Sequence, residues 1–92
     1  MLFRSALAAL DHALVINPNH ADAHQARGAT LERLGRFEES AAASDIVLRI
    51  RPNDAAAYYN RAKAYYFLAR PTEAQADFRK SISLKPSFAE AH

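Results

Sequence analysis

The sequence contains no cysteine and no tryptophan, and it has only two glycines among 92 residues. The absence of cysteine excludes disulfides and thiolate chemistry, and it fits a reducing compartment, so a cytoplasmic location is expected. No apolar run approaches the roughly 20 residues that a membrane-spanning helix needs, so no membrane contact is expected. The formal net charge of +2 is too weak and too evenly spread to predict binding to nucleic acid.

Motifs on which catalysis usually depends are also absent. There is no glycine-rich phosphate loop, and serines such as Ser5, Ser40 and Ser81 have no matching His–Asp set. His20 and His24 have a spacing that can bind a metal ion on a helix, but no carboxylate completes such a site. We therefore expect no enzyme activity, no metal and no cofactor.

What the sequence does contain is a repeat. Pro18, Pro52 and Pro86 are spaced 34 residues apart, and the segments around them recur as VINPNHADAH, RIRPNDAAAY and SLKPSFAEAH. A fixed period of this length is typical of solenoid proteins built from stacked supersecondary units. Residues separated by 34 positions are called register equivalents below.

Apolar residues spaced three and four apart predict five amphipathic helices. They cover residues 2–17, 21–34, 37–51, 55–69 and 71–85. Asn19 is expected to cap the second helix, and Asn53 or Asp54 the fourth. Gly35 suits a left-handed turn after the second helix, and Pro71 suits the first turn of the fifth. Because the links are short, successive helices should be antiparallel neighbours.

The register predicts a single array over residues 1–92. It consists of an unpaired second helix at 2–17, full helix pairs at 21–54 and 55–88, and the start of a further pair at 89–92. Small residues should let the two helices of a pair approach closely; they are Gly28, Ser40, Ala62 and Ala74. Arg61 and Asp77 are expected to form an ion pair within the second pair.

This pattern resembles the tetratricopeptide repeat family, whose 34-residue helix pair has aromatic, small and closing-proline positions. Residues 55–88 carry them as Tyr58, Ala62, Tyr65, Ala74, Phe78 and Pro86. Residues 21–54 keep Gly28, Leu31 and Pro52 but have His24, Ser40 and Ser44 at the aromatic, alanine and phenylalanine positions. The resemblance implies an all-α solenoid, in which antiparallel helix–turn–helix repeats stack as a right-handed superhelix, and a protein–protein interaction scaffold that binds a peptide or partner helix.

Family geometry implies that the first helix of each pair lines a concave surface. The candidate peptide-binding residues are Tyr59, Asn60, Lys63, Tyr66, Phe67, Gln25 and Arg33. Asn60 would bond a peptide backbone and Lys63 a carboxylate, while the aromatic rings would hold apolar side chains. The alternative is that Tyr66 and Phe67 pack against a following repeat. Some relatives clamp acidic C-termini with Lys, Asn and Arg; only Asn60 resembles a member of that clamp, so this function is not expected.

The two ends of the array are expected to self-associate, because each lacks a neighbouring repeat. The candidate residues are Phe3, Leu7, Leu10 and Leu14 at one end, and Phe78, Ile82 and Phe88 at the other. An alternative function follows from the segments ALDHALVINPNHADAH and LERLGRFEES. They resemble bacterial repeats that precede a glycosyltransferase or sulfotransferase domain, so the chain could be a fragment of an enzyme's substrate-holding arm.

Overall fold

The computed structural model describes residues 2–85, with side chains from Ser5 onward, and these residues form five helices connected by short links. The helices are α1 (Leu2–Ile16), α2 (Ala21–Arg33), α3 (Phe37–Ile50), α4 (Ala55–Phe67) and α5 (Pro71–Leu84). No strand occurs between residues 2 and 85. The prediction of an all-α solenoid fold is confirmed, and every helix ends within two residues of its predicted boundary.

Each helix packs against the next one along the chain, so that α2 with α3 and α4 with α5 form two successive pairs. Helix α4 contacts both helices of the first pair, which places α2 and α4 side by side. The core consists mainly of alanine around a few larger side chains, with Leu31 and Val47 fully buried. None of the helices within residues 2–85 is long and apolar enough to cross a bilayer. The division into repeat units stays a prediction.

Small residues bring α2 and α3 together, as expected for Gly28 and Ser40, and the equivalent Ala62 and Ala74 are buried. A Cβ atom placed on Gly28 would lie 3.3 Å from the Cβ of Ala43 and 3.5 Å from the carbonyl oxygen of Ser40. The Ser40 hydroxyl donates a 2.9 Å hydrogen bond to the carbonyl of Gly28. In the second pair, the Ser81 hydroxyl donates to the carbonyl of Ala55 at 3.0 Å. These bonds satisfy polar groups where the helices touch.

The beginnings of α2 and α4 are capped at register-equivalent positions. The Oδ1 atom of Asp54 accepts a 3.1 Å hydrogen bond from the backbone N–H of Ala57, as expected for this residue type. At α2, however, the Nδ1 atom of His20 accepts the bond from Ala23 at 3.2 Å. The prediction that Asn19 caps α2 is therefore wrong, because the cap follows the 34-residue register rather than the usual preference for asparagine.

The apolar face of α1 was expected to be exposed, but it is largely covered. The side chain of Leu7 is only 9% exposed, and those of Leu10 and Leu14 are half-buried, because this face of α1 packs on α2. The expectation that they form a free end is wrong.

Other apolar side chains are exposed near the two ends. Val15 and Ile16, in the last turn of α1, are 80% and 74% exposed. On α5, Ile82 is 49% exposed and Phe78 is half-buried. The remaining candidates for self-association, the Phe3 side chain and Phe88, lie outside the part of the chain described in detail.

Candidate functional site

Helices α2 and α4 lie side by side and are joined by an ion pair, and the surface that they form is here called the α2–α4 face. Its side chains are Gln25 and Glu32 of α2 with Tyr59, Asn60, Lys63 and Tyr66 of α4. The Nζ atom of Lys63 lies 3.4 Å from Oε1 of Glu32 and 5.1 Å from the centre of the Tyr59 ring. The ammonium group is therefore held between a carboxylate of one helix and an aromatic ring of the other, an arrangement that fixes its position.

The tyrosines of this face differ in how firmly they are held. The ring of Tyr59 is half-buried and meets the ring of Phe78 edge-on, with 5.6 Å between centroids. Tyr66, seven residues later on the same side of α4, is 66% exposed. Asn60, the next residue after Tyr59 on α4, is half-buried. The face thus combines a fixed amine, an amide and an accessible phenol within two helical turns.

Phe67 lies at the margin of the face rather than in its middle. Its ring stacks on Phe37, with 4.8 Å between centroids and 16° between planes, and its own neighbour Tyr66 meets it edge-on at 5.5 Å. Among the contacts described, Phe67 therefore packs against the preceding helix pair. This stack could not be predicted from the sequence, because it depends on how the start of α3 meets the end of α4.

The two remaining candidates lie toward opposite ends of α2. The Nε2 atom of Gln25 donates a long 3.4 Å hydrogen bond to Oδ1 of Asp54, the residue that caps α4. Arg33 is exposed in the last turn of α2. The contacts described therefore join Lys63 to Tyr59 and to Glu32 of the neighbouring helix. Asn60 and Tyr66 lie on the same helix within two turns, while Gln25 and Arg33 lie on α2.

A repeated ion pair joins each second helix to the following first helix. The Nε atom of Arg27 on α2 lies 2.6 Å from Oδ1 of Asp11 on α1. Its register equivalent, Arg61 on α4, places Nη1 2.8 Å from Oδ1 of Asp45 on α3. Sequence reasoning missed both pairs, although the 34-residue spacing of each partner was a usable signal.

Arg61 also forms the ion pair that was expected within the second helix pair. Its Nε and Nη2 atoms donate to the two carboxylate oxygens of Asp77 at 2.7 and 2.8 Å. The hydrogen bonds to Asp77 are the main reason why the pKa of Arg61 lies above its ordinary value, and burial opposes the shift. The guanidinium also lies over the rings of Tyr58 and Tyr65, at 5.5 and 5.7 Å. These contacts hold α3, α4 and α5 together, which is a structural role.

Burial and charge also act on the ionisation of neighbouring groups. Burial raises the pKa of the Tyr65 hydroxyl, and the nearby Arg61 opposes part of that shift. Near the start of α3, the hydrogen bond from Arg36 lowers the pKa of Glu39. Neither group lies on the α2–α4 face.

The two histidines that could have bound a metal ion are used to shape the start of α2. His20 supplies the cap, and the Nε2 atom of His24 lies 2.7 Å from the carbonyl oxygen of Pro18. Beside them is an open cavity of about 440 Å³, which His24 shares with Pro18, Asn19, Ile46, Arg49 and Ile50. Residues 2–85 contain no group of three or more side chains suited to hold a metal ion.

Solved structures with this arrangement of helices include MamA and a domain of RPAP3. The MamA structure designated AMB-1 has a TM-score of 0.86 and 29% identity, over 90% of this chain and 49% of that one. MamA MSR-1 has a TM-score of 0.86 and 27% identity, over 92% of this chain and 49% of that one. The chain thus spans about half the length of these relatives.

The first TPR of Spaghetti (RPAP3), bound to the HSP90 peptide SRMEEVD, has a TM-score of 0.88. The match covers 91% of this chain and 67% of that chain at 19% identity, so it shows the fold alone. The search of curated proteins gave no significant match.

Sequence models of the tetratricopeptide repeat match two parts of the chain. One covers residues 9–42, from within α1 into α3, and the other covers residues 55–88. Together they account for about three quarters of the sequence. The matched segments, the stacked helix pairs and the similar solved structures lead to one conclusion. The chain belongs to the tetratricopeptide repeat family.

Proposed function

We propose that this protein is a non-catalytic protein–protein interaction scaffold that binds a peptide or partner helix on the α2–α4 face. The observation that carries the proposal is the fixed position of Lys63 between Glu32 and Tyr59, with the exposed ring of Tyr66 one turn further along α4. The RPAP3 structure supports a peptide as the ligand, because a domain of the same fold is bound to a peptide in it.

The chemistry of the face favours an apolar or aromatic peptide over a strongly acidic one. Lys63 already faces Glu32, so a ligand carboxylate would compete with a carboxylate of the protein itself. Asn60 can donate to and accept from an extended peptide backbone. Tyr59 and Tyr66 offer apolar surface together with a polar tip, a combination common at interfaces. We therefore propose a ligand with apolar anchors and few charges.

The test is to select peptides that bind the wild-type chain from a displayed library of random peptides, and then to measure their affinity for variants. Tyr66→Ala should weaken binding by about five- to thirty-fold, the usual effect of removing an aromatic anchor. Lys63→Ala should also weaken it, because the ammonium group and the Tyr59 ring hold each other in place. Fluorescence anisotropy gives the affinities, and circular dichroism checks that each variant remains helical.

Lys80→Ala is the matched control for Lys63→Ala, because Lys80 is an exposed lysine on α5, away from the α2–α4 face. Its affinity for the selected peptides should equal that of the wild type. If Tyr66→Ala and Lys63→Ala both leave the affinities unchanged, the peptides bind elsewhere and the proposal for this face is wrong.

Self-association is a second candidate, favoured by apolar side chains that remain exposed near the ends. They are Val15 and Ile16 on α1 and Ile82 on α5. The surface proposed for it therefore differs from the one expected at the N-terminal end, where Leu7 is buried. The alternative role as the substrate-holding arm of a larger enzyme stays a prediction.

A further inference from the structure

The boundary between the two helix pairs shows what covers the outer side of a pair in this protein. There the first pair presents acidic side chains and α4 presents basic ones. Asp45 on α3 pairs with Arg61 at 2.8 Å, and Glu32 on α2 pairs with Lys63 at 3.4 Å. A first helix thus docks on the pair before it with two ion pairs of the same polarity.

The outer side of the second pair carries different side chains at the register-equivalent positions. The register equivalent of Asp45 is Arg79, and the register equivalent of Glu32 is Tyr66. Arg79 and Tyr66 are both exposed. At the other end of the array, Asp11 keeps the original polarity and pairs with Arg27 at 2.6 Å. The reversal of charge is therefore confined, within the described residues, to the outer side of the second pair.

Apolar surface remains available beside Arg79. The register equivalent of the buried Ser44 is Phe78, which is half-buried and meets Tyr59 of α4 edge-on. Leu48 is replaced by Ile82, which is 49% exposed. This surface, here called the end face, is formed by Phe78, Arg79 and Ile82 of α5 with Tyr66 of α4.

We propose that the end face binds an amphipathic partner helix that carries a carboxylate opposite Arg79, and that it discriminates against the first helices of this chain. Helices α2 and α4 carry Arg27 and Arg61 at that place. If α4 of a second copy docked there, Arg61 would face Arg79, and Lys63 would meet Tyr66 instead of a carboxylate. An acidic helix restores the ion pair with its polarity reversed. This surface adjoins the α2–α4 face, because the two share Tyr66 and the Phe78 ring meets the Tyr59 ring edge-on.

The test uses α4 itself as the probe, in three versions that differ at one position. Peptides of residues 53–69 carry the native Arg61, Arg61→Gln or Arg61→Glu, and their binding to the full chain is measured by fluorescence anisotropy at low ionic strength. For the wild type we expect the affinity to rise from the native peptide through Arg61→Gln to Arg61→Glu. The extremes should differ by about three- to ten-fold, as partly exposed charges allow.

The same peptides are then measured against Arg79→Asp, for which the order should reverse. Lys80→Asp is the matched control, because it makes the same change of charge at the adjacent exposed residue. The register equivalent of Lys80 is Ile46, which lines the cavity beside Pro18 and His24. Ile46 thus lies on the side of α3 that faces the start of α2, and Lys80 is expected to lie outside the end face. Lys80→Asp should therefore keep the order seen with the wild type. Circular dichroism confirms that the three peptides have equal helicity, so that the order reflects charge.

Three results would overturn the proposal. One is that the native peptide binds the wild type as tightly as the Arg61→Glu peptide. Another is that the order stays the same with Arg79→Asp, which would place the peptides on another surface. The last is that the Arg61→Glu peptide shows no binding up to millimolar concentration. Binding to the α2–α4 face, tested separately with Lys63→Ala, does not depend on any of these outcomes.

Discussion

Individual residues of the two helix pairs repeat their interactions, but not all of these interactions contribute equally to stability. The recurring ion pairs are exposed, and a pair of that kind typically contributes about 0.2–1 kcal/mol. They include Asp11–Arg27 and its equivalent Asp45–Arg61. The pair between Arg61 and Asp77 does not recur, since the first helix pair has Ala43 in place of Asp77. The side chain of Asp77 is only 8% exposed, so it is the most buried of these three carboxylates.

At this scale we predict that Asp77→Ala lowers the free energy of unfolding by about 2 kcal/mol. Removal of one partner of a buried pair leaves the other without its bonds, which costs more than the pair itself contributes. Arg61 would keep Asp45, and that contact limits the loss. Urea denaturation followed by circular dichroism measures the change.

Asp45→Ala is the comparison, because it removes the other carboxylate from the same guanidinium. Asp45→Ala should lower the free energy of unfolding by at most about 1 kcal/mol, since the Asp45 side chain is half exposed. Asp11→Ala should behave like Asp45→Ala. If Asp77→Ala and Asp45→Ala cost the same small amount, Arg61 and Asp77 do not form the dominant contact proposed for them.

At the scale of the helix, α2 and α4 end in the same left-handed turn, built from different residues. Gly35 has a φ of 77°, and its register equivalent Ala69 has a φ of 59°. The backbone N–H of Arg36 bonds the carbonyl of Leu31 at 2.9 Å, and Arg70 bonds Tyr65 in the same way. An alanine in this conformation brings its Cβ too close to the following carbonyl, so the turn after α4 is strained.

We predict that Ala69→Gly raises the free energy of unfolding by about 0.5–1 kcal/mol. Relief of the left-handed strain is worth about 1–2 kcal/mol, and the greater freedom of glycine in the unfolded chain offsets part of it. Gly35→Ala, at the equivalent turn, should lower stability by a similar amount. No atom lies within 4 Å of where its Cβ would be, so only the backbone effect is measured.

The two variants should therefore shift the urea midpoint in opposite directions. The slope of the unfolding free energy against urea should stay constant, because neither change alters the core. A decrease in stability for Ala69→Gly would contradict the prediction and would show that the Ala69 side chain makes a stabilising contact.

At the scale of the whole molecule, stability depends on neighbouring helices, since no pair buries its apolar surface alone. Within residues 2–85, α1 contacts only α2, and α5 contacts only α4. The outer surfaces of these two helices carry the exposed Val15, Ile16 and Ile82. Exposed apolar side chains of this size at both ends favour association between molecules.

We predict that the chain self-associates at micromolar concentration. Light scattering across a hundredfold range of concentration should show a mass above the 10.2 kDa of one chain, with unchanged helicity. Combined substitution of Val15→Ser and Ile16→Ser should return the mass to that of a monomer, because it removes the most exposed apolar side chains of α1.

Asp22→Asn is a control at an exposed residue of α2, and it should leave the mass unchanged. A strictly monomeric, cooperatively folded wild type would contradict the prediction. It would also show that a single chain is stable alone, and self-association would then be excluded as a second function.

The sequence by itself determined the features that depend on local chemistry and on the repeat. The 34-residue period and the spacing of apolar residues were enough to place five helices. Gly35 and Pro71 marked a helix end and a helix start because each has a backbone preference that acts without tertiary contacts. The ion pair between Arg61 and Asp77 was also predicted, since the two residues lie on the two helices of one pair.

Only the tertiary structure decided which surfaces are covered and which are open. Leu7 looked like an end residue, but α2 buries it, and Phe67 stacks on Phe37 from another helix pair. Lys63 is fixed by Glu32, which is 31 residues away in sequence. Hydrophobic periodicity shows that a helix has an apolar face but not which neighbour covers it, because burial depends on how the helices stack.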